Sequence, residues 1–204
     1  MNVFYNKQYV GDVLLVQLAT EAIVKTVVER AGDIAILKEA QTGEIKAFNL
    51  FNASSYVKTE AQGNVEVTPE LVEQIEAAIE KNGASISLDV DFSPKFVVGF
   101  VETKEKHPNA DKLSICTVNV GEQSLQIVCG APNVEAGQKV VVAKIGAVMP
   151  SGMLIKEGNL RGVDSFGMLC SARELAIPNA PSEKGILVLP ADAVVGSAFE
   201  APTR

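Results

Sequence analysis

FVVGFVETKEKHPNADKLSICTVNVGEQSLQIVC, residues Phe96–Cys129, is the stretch that decides the fold. Phe96–Lys106 reads as a long strand rich in Val and Phe, with Gly99 expected to mark a bulge or bend. HPNADKL, His107–Leu113, then breaks it. Pro108 forces His107 out of helical geometry, and Asn109 and Asp111 are turn formers that bond nearby backbone. Leu113–Val120 and Ser124–Cys129 flank Gly121–Glu122–Gln123, a short Gly-containing link that predicts a β-hairpin. Long strand, tight loop and hairpin in succession predict antiparallel β-structure.

Further strands are expected downstream at Lys139–Ile145, at Met153–Lys156 after the turn Pro150–Ser151–Gly152, and at Lys184–Leu189. Between them, Ser171–Ala172–Arg173–Glu174 matches a capping box and predicts a short helix. The N–H groups at its start would favour phosphate, with Lys156, Arg161 and Arg173 in the same stretch. Short strands, tight turns and one small helix predict an all-β barrel of the five-stranded oligonucleotide-binding kind (OB-fold) over residues 94–204.

Residues 1–93 differ in character. They carry 7 Lys and Arg against 14 Asp and Glu, whereas residues 94–204 carry 11 against 11. The string DVDFSPK places the boundary near Asp91–Pro94. Val10–Leu18, Ile23–Arg30, Asp33–Glu39 and Glu44–Leu50 read as a meander of strands. After a polar loop, Thr68–Pro69 opens a helix, Leu71, Ile75 and Ile79 form its apolar face, and Asn82–Gly83 ends it. Glu70, Glu73, Glu76 and Glu80 read as its solvated face. The expected module is a small α+β domain, with no nucleophile–base pair and no metal cluster in its sequence.

Composition excludes several functions. The chain has 204 residues, a net charge of −7, 47% apolar residues and a mean hydropathy of +0.19, as a globular protein does. No uninterrupted apolar run is long enough for a transmembrane helix, and Met1–Val13 lacks the pattern of a secretory signal. Three cysteines, none in a CxxC pair, fit a reducing cytoplasm. One histidine and the spacing of Cys116, Cys129 and Cys170 give no zinc-finger pattern, and no P-loop string is present. Cys129 with His107 as its base would make an enzyme, but a lone Cys in an apolar strand is the pattern of an inert, buried thiol. The expectation is a protein that is not an enzyme and takes no cofactor.

HPNADKL, IVCGAPNV (Ile127–Val134) and RGVDSFGMLCSAREL (Arg161–Leu175) together resemble the tRNA-binding domain of bacterial phenylalanyl-tRNA synthetase β chains. The same module occurs in some methionyl-tRNA synthetases and in the CsaA chaperone. The resemblance covers roughly residues 94–200, and the whole-chain organisation is similar to the small bacterial YtpR-type proteins, which precede this module with a domain of unknown function. The resemblance implies tRNA binding by shape and backbone contacts. Carried over by motif, His107, Asn109, Asp111 and Lys112 form one lip of the site. Ser165, Met168, Ser171 and Glu174 form the facing segment, and Arg161 and Arg173 add positive charge. It leaves open a CsaA-like peptide-binding role, an accessory role beside a synthetase or another translation-machinery protein, and a homodimer. A free-standing protein is expected, since a synthetase β chain would continue into further domains.

Overall fold

The computed structural model describes residues 1–21 and 24–200. Ile23, expected at the start of a strand, lies outside the described residues. The chain divides into two compact units, Met1–Phe92 and Ser93–Arg204.

The first unit is one antiparallel sheet covered by a helix. Its strands are β1 (Asn2–Tyr5), β2 (Val13–Gln17), β3 (Thr26–Ala31), β4 (Ile34–Glu39), β5 (Ile45–Phe51) and β6 (Gly63–Val65), in the order β3-β4-β5-β2-β1-β6. Register aligns the apolar residues in two rows: Val3, Val16, Phe48 and Ile36 in one, Tyr5, Leu14, Leu50 and Ile34 in the other. All are buried, and Leu71, Ile75 and Ile79 of helix α1 (Pro69–Lys81) join the same cluster. The expected meander is corrected in part. β3, β4 and β5 follow one another, but β2 pairs with β5 and β1, not with β3. Periodicity finds strands; their partners are set by which apolar rows can be aligned. β1 and β6 are additional short strands.

The helix ends behave as the sequence indicates. The Thr68 hydroxyl accepts from the Leu71 N–H at 3.2 Å, and Pro69 opens the first turn. Asn82 closes it and ties it to the sheet: its side chain donates to the Ala78 carbonyl (2.8 Å) and accepts from the Asp33 N–H (2.8 Å). Glu70, Glu73, Glu76 and Glu80 are exposed.

The second unit contains β7 (Phe96–Lys106), β8 (Ser114–Asn119), β9 (Ser124–Cys129), β10 (Lys139–Ala143), β11 (Gly158–Leu160), β12 (Val163–Ser165), β13 (Met168–Leu169) and β14 (Val188–Leu189). The sheet order is β13-β10-β7-β8-β9, with β14 also on β10 and β11 paired with β12. The segment from β12 to β13 bonds to both ends of this sheet. Phe166 N–H donates to the Gln126 carbonyl at 2.9 Å, and Cys170 N–H donates to the Val141 carbonyl at 2.9 Å. The sheet thereby curls into a nearly closed OB-fold barrel.

β10 alternates across two cores. Val140 and Val142 face the barrel interior with Val97, Val118 and Ile127, while Val141 and Ala143 pack against Met149, Ile155, Cys170 and Leu175 under the long C-terminal loops. A strand buried on both faces reads as an unbroken apolar run, which is why KVVVA stands out in the sequence.

Four local expectations are corrected. The β7 bulge falls between Val101 and Thr103, not at Gly99. Gly99 serves close packing: a Cβ there would lie 2.5 Å from Val142 Cγ2 and 2.8 Å from Val118 Cγ1. Met153–Lys156 forms no strand, only an isolated bridge between Leu154 and Val148, and the Lys184–Leu189 strand shrinks to β14. Residues 172–176 form turns and not a helix. The capping box exists, but Ala176 takes φ +53° and stops the helix after one turn. The expected phosphate site at a helix N-terminus therefore has no helix behind it.

Gly99→Ala should overpack the barrel and cost about 1–3 kcal/mol, read as a lower urea midpoint for the second unit. A midpoint equal to the parent's would mean that Val118 and Val142 yield without cost.

Candidate functional site

The loop His107–Leu113 and the hairpin β11–β12 are pinned to each other through His107. Its ring is 5% exposed. Asn109 N–H donates to Nδ1 at 3.0 Å, and Nε2 lies 2.9 Å from the Leu160 carbonyl. This is the bonding of a neutral imidazole with its proton on Nε2. Asn109 adds a second tie, its Nδ2 donating to the Arg161 carbonyl at 3.2 Å. The turn at Arg161 is left-handed, with φ +51°. His107 and Asn109 therefore position the lip, on which Asn109, Asp111, Lys112 and Arg161 are exposed.

Ser165 is likewise a positioning residue, 4% exposed. Its hydroxyl accepts from the Val128 N–H (3.0 Å) and donates to the Gly167 carbonyl (3.2 Å), linking the closing segment to β9. Ser171 and Glu174 hold one another. The carboxylate accepts from the Ser171 N–H and hydroxyl, both at 2.7 Å, and the Glu174 N–H donates back to Ser171 Oγ at 3.2 Å.

Beside the lip lies an open cleft of about 570 Å³. Val128, Leu154, Met168 and Ile186 give it apolar walls, and the half-exposed Met153 and Leu160 stand at its mouth. Ser171, Arg173 and Glu174 line it, joined by Lys156, Lys184 and Glu183. Met153, Leu154, Lys184 and Ile186 carry no motif and escape a sequence reading. They arrive from irregular loops, one of them fastened by Asn133, whose side chain accepts from the Ile186 N–H (2.8 Å) and donates to the Ile186 carbonyl (3.0 Å).

The cations of this unit sort into two groups. Lys104 pairs with Glu135 at 2.8 Å, and Lys139 donates to the Ala191 and Ala193 carbonyls. Lys112, Lys156, Arg161, Arg173 and Lys184 have no side-chain partner among the described residues. Lys156, Arg173 and Lys184 line the cleft, Arg161 follows Leu160 at its mouth, and the Lys112 backbone carbonyl approaches Gly130; the exposed Lys106, at the end of β7 beside His107, is likewise without a side-chain partner among the described residues. A net charge of zero over residues 94–204 thus coexists with five unpartnered cations around the cleft and its lip, among which stand the carboxylates Asp111, Glu174 and Glu183.

The three thiols are free and buried. Burial pushes Cys116 up to about 11 and Cys170 up to about 12, and also raises Cys129. Both ring nitrogens of His107 are occupied by backbone groups.

Comparison with known proteins agrees with the geometry. Residues 96–198 match the family described as "Putative tRNA binding domain", and residues 23–91 match a domain of unknown function. The chain is 56% identical over 200 residues to the "Putative tRNA-binding protein YtpR" of Bacillus subtilis, covering 98% of this chain and all of that protein. The chain belongs to the YtpR family. It is also 50% identical over 134 residues to the phenylalanine–tRNA ligase beta subunit of Oceanobacillus iheyensis, and 52% identical over 126 residues to that of Campylobacter jejuni. Those matches cover 62% and 59% of this chain but only 16% of each ligase subunit. No described helix is long and apolar enough to cross a membrane.

The raised thiols make two measurable statements. At pH 7 the native protein should react only slowly with a thiol–disulfide reagent and quickly once unfolded, because the thiolate is the nucleophile. A fast native reaction at Cys129 would contradict this. The folded state favours the protonated thiols, so their contribution to stability is complete below the ordinary thiol range. It should decline as pH climbs from about 9 towards 12, checked by urea unfolding across that interval.

Proposed function

We propose that this protein binds tRNA, without catalysing a reaction, through the cleft and lip of residues 94–204. The observation that carries the reading is the gathering of unpartnered cations around one cleft in a unit of zero net charge. Structured RNA is gripped through phosphates and 2′-hydroxyls, and phosphate contacts carry little sequence information. Membership of the YtpR family supports the ligand class. His107, Asn109 and Ser165 fix the walls. Lys112, Arg161 and Arg173 supply charge, while Asp111, Met168, Ser171 and Glu174 shape the surface between them. Residues 1–93, with their excess of carboxylates, modulate approach and do not supply the contacts. The setting is the cytoplasm, where tRNA is the partner.

Replacing Lys112 and Arg161 together by Ala should weaken binding about tenfold or more at low salt, alike for several tRNA species. Fluorescence anisotropy reads the change, and unchanged affinity would remove the lip from the interface. The parent's log-affinity should fall with log salt at a shallow slope, that of about two to four phosphates per chain. A much steeper slope would require either more contacts or two chains gripping one tRNA, which light scattering of the complex separates.

A further inference from the structure

The cleft has a property that backbone gripping leaves unused: its walls are apolar. Val128, Leu154, Met168 and Ile186 have no match on the outside of an RNA helix, which presents ribose and phosphate and hides its base faces in the stack. The only apolar surface an RNA can offer is the face of an unstacked base. The volume, about 570 Å³, lies within the range of small-ligand pockets, about 300–1,000 Å³. It suits one nucleotide and not a duplex.

The surroundings complete the match. Base faces usually stack on aromatics or on Arg guanidinium planes. Among the described residues no aromatic side chain lines this cleft, but Met153 and Met168 do, with Arg173 beside them. Thioethers make favourable contacts with aromatic rings. Lys156, Arg173 and Lys184 line the same cleft and supply cations for the phosphates that flank such a base. The Glu174 carboxylate is held by the Ser171 N–H and hydroxyl through one oxygen, Oε2. Glu183, also on the cleft, is an acceptor suited to a base N–H edge.

We propose that this cleft receives one unpaired nucleotide of the bound RNA, its base lying against Met153 and Met168. This rests on the tRNA-binding reading and sharpens it: the protein would read a single-stranded feature of tRNA as well as its overall shape.

The chain has 4 methionines, so a protein labelled with ¹³C at the methionine methyls gives a readable spectrum. Met153→Leu and Met168→Leu, close in volume, assign the two signals. The probes are unfractionated tRNA, a single-stranded tetraribonucleotide and a blunt RNA duplex, with affinity measured in parallel by anisotropy. The tetranucleotide and tRNA should move the Met153 and Met168 methyls upfield, as ring currents above a base face do. Met149, buried at 2% exposure, and Met1 in the first unit should hold still. The duplex should leave all of them in place. Met153→Ala should weaken tetranucleotide binding about 2- to 10-fold.

Tight tRNA binding without movement of Met153 and Met168 would overturn the nucleotide cleft and leave the tRNA reading standing. Upfield shifts with the tetranucleotide but no affinity for tRNA would do the reverse. Shifts produced only by an unstructured peptide would overturn both.

Discussion

A barrel opened from a sheet leaves two edges, and here the segment around Ser165 joins them, its hydroxyl beside the backbone bonds of Phe166 and Cys170. Ser165 satisfies the Val128 N–H on β9 while its own segment runs on to pair with β10. Without that acceptor a backbone donor would be buried without a partner, at about 1–3 kcal/mol. The joint also needs Gly167, because a Cβ there would stand 2.9 Å from the Ala143 carbonyl. One wall of the candidate site hangs from this closure. β13 contributes Met168, the next residues carry Ser171 and Arg173, and the preceding hairpin carries Leu160 and Arg161 to the lip.

Charge follows the same division. The cations used for architecture, Lys104 and Lys139, have partners in the barrel scaffold. Those around the cleft have none among the described residues. A net charge averages over both sets and so says little about where an anion would settle. Position, not sum, makes this neutral unit suited to a polyanion.

The sequence made some of this legible and not the rest, for identifiable reasons. β7 and β9 are long or well bounded, and their apolar residues are dense enough to show. Helix α1 carries both of its stop signals and a four-residue apolar period. β11, β12 and β13 span three residues or fewer and exist only because the barrel closes through them. No local pattern could announce them. The Ser171–Glu174 box was readable from its spacing, but the left-handed Ala176 that ends the turn carries no sequence signal, being neither Gly nor Asn. The family motifs drew attention to His107 and Ser165. That they brace the walls from within is visible only once their partners, Leu160 and Val128, are known.

The cleft walls are mostly irregular chain, fastened by single side chains to backbone groups: Asn133 to Ile186, His107 to Leu160, Ser165 to Val128. This inverts the usual order of fragility. Inside the barrel, trimming a methyl leaves a cavity with a cost graded by its volume. In the walls, replacing Asn133 by an apolar residue of similar size would leave volume almost unchanged and yet release a whole loop. The recognition surface is thus held by a few polar rivets, and its shape can be lost in steps while the barrel beneath it stays folded.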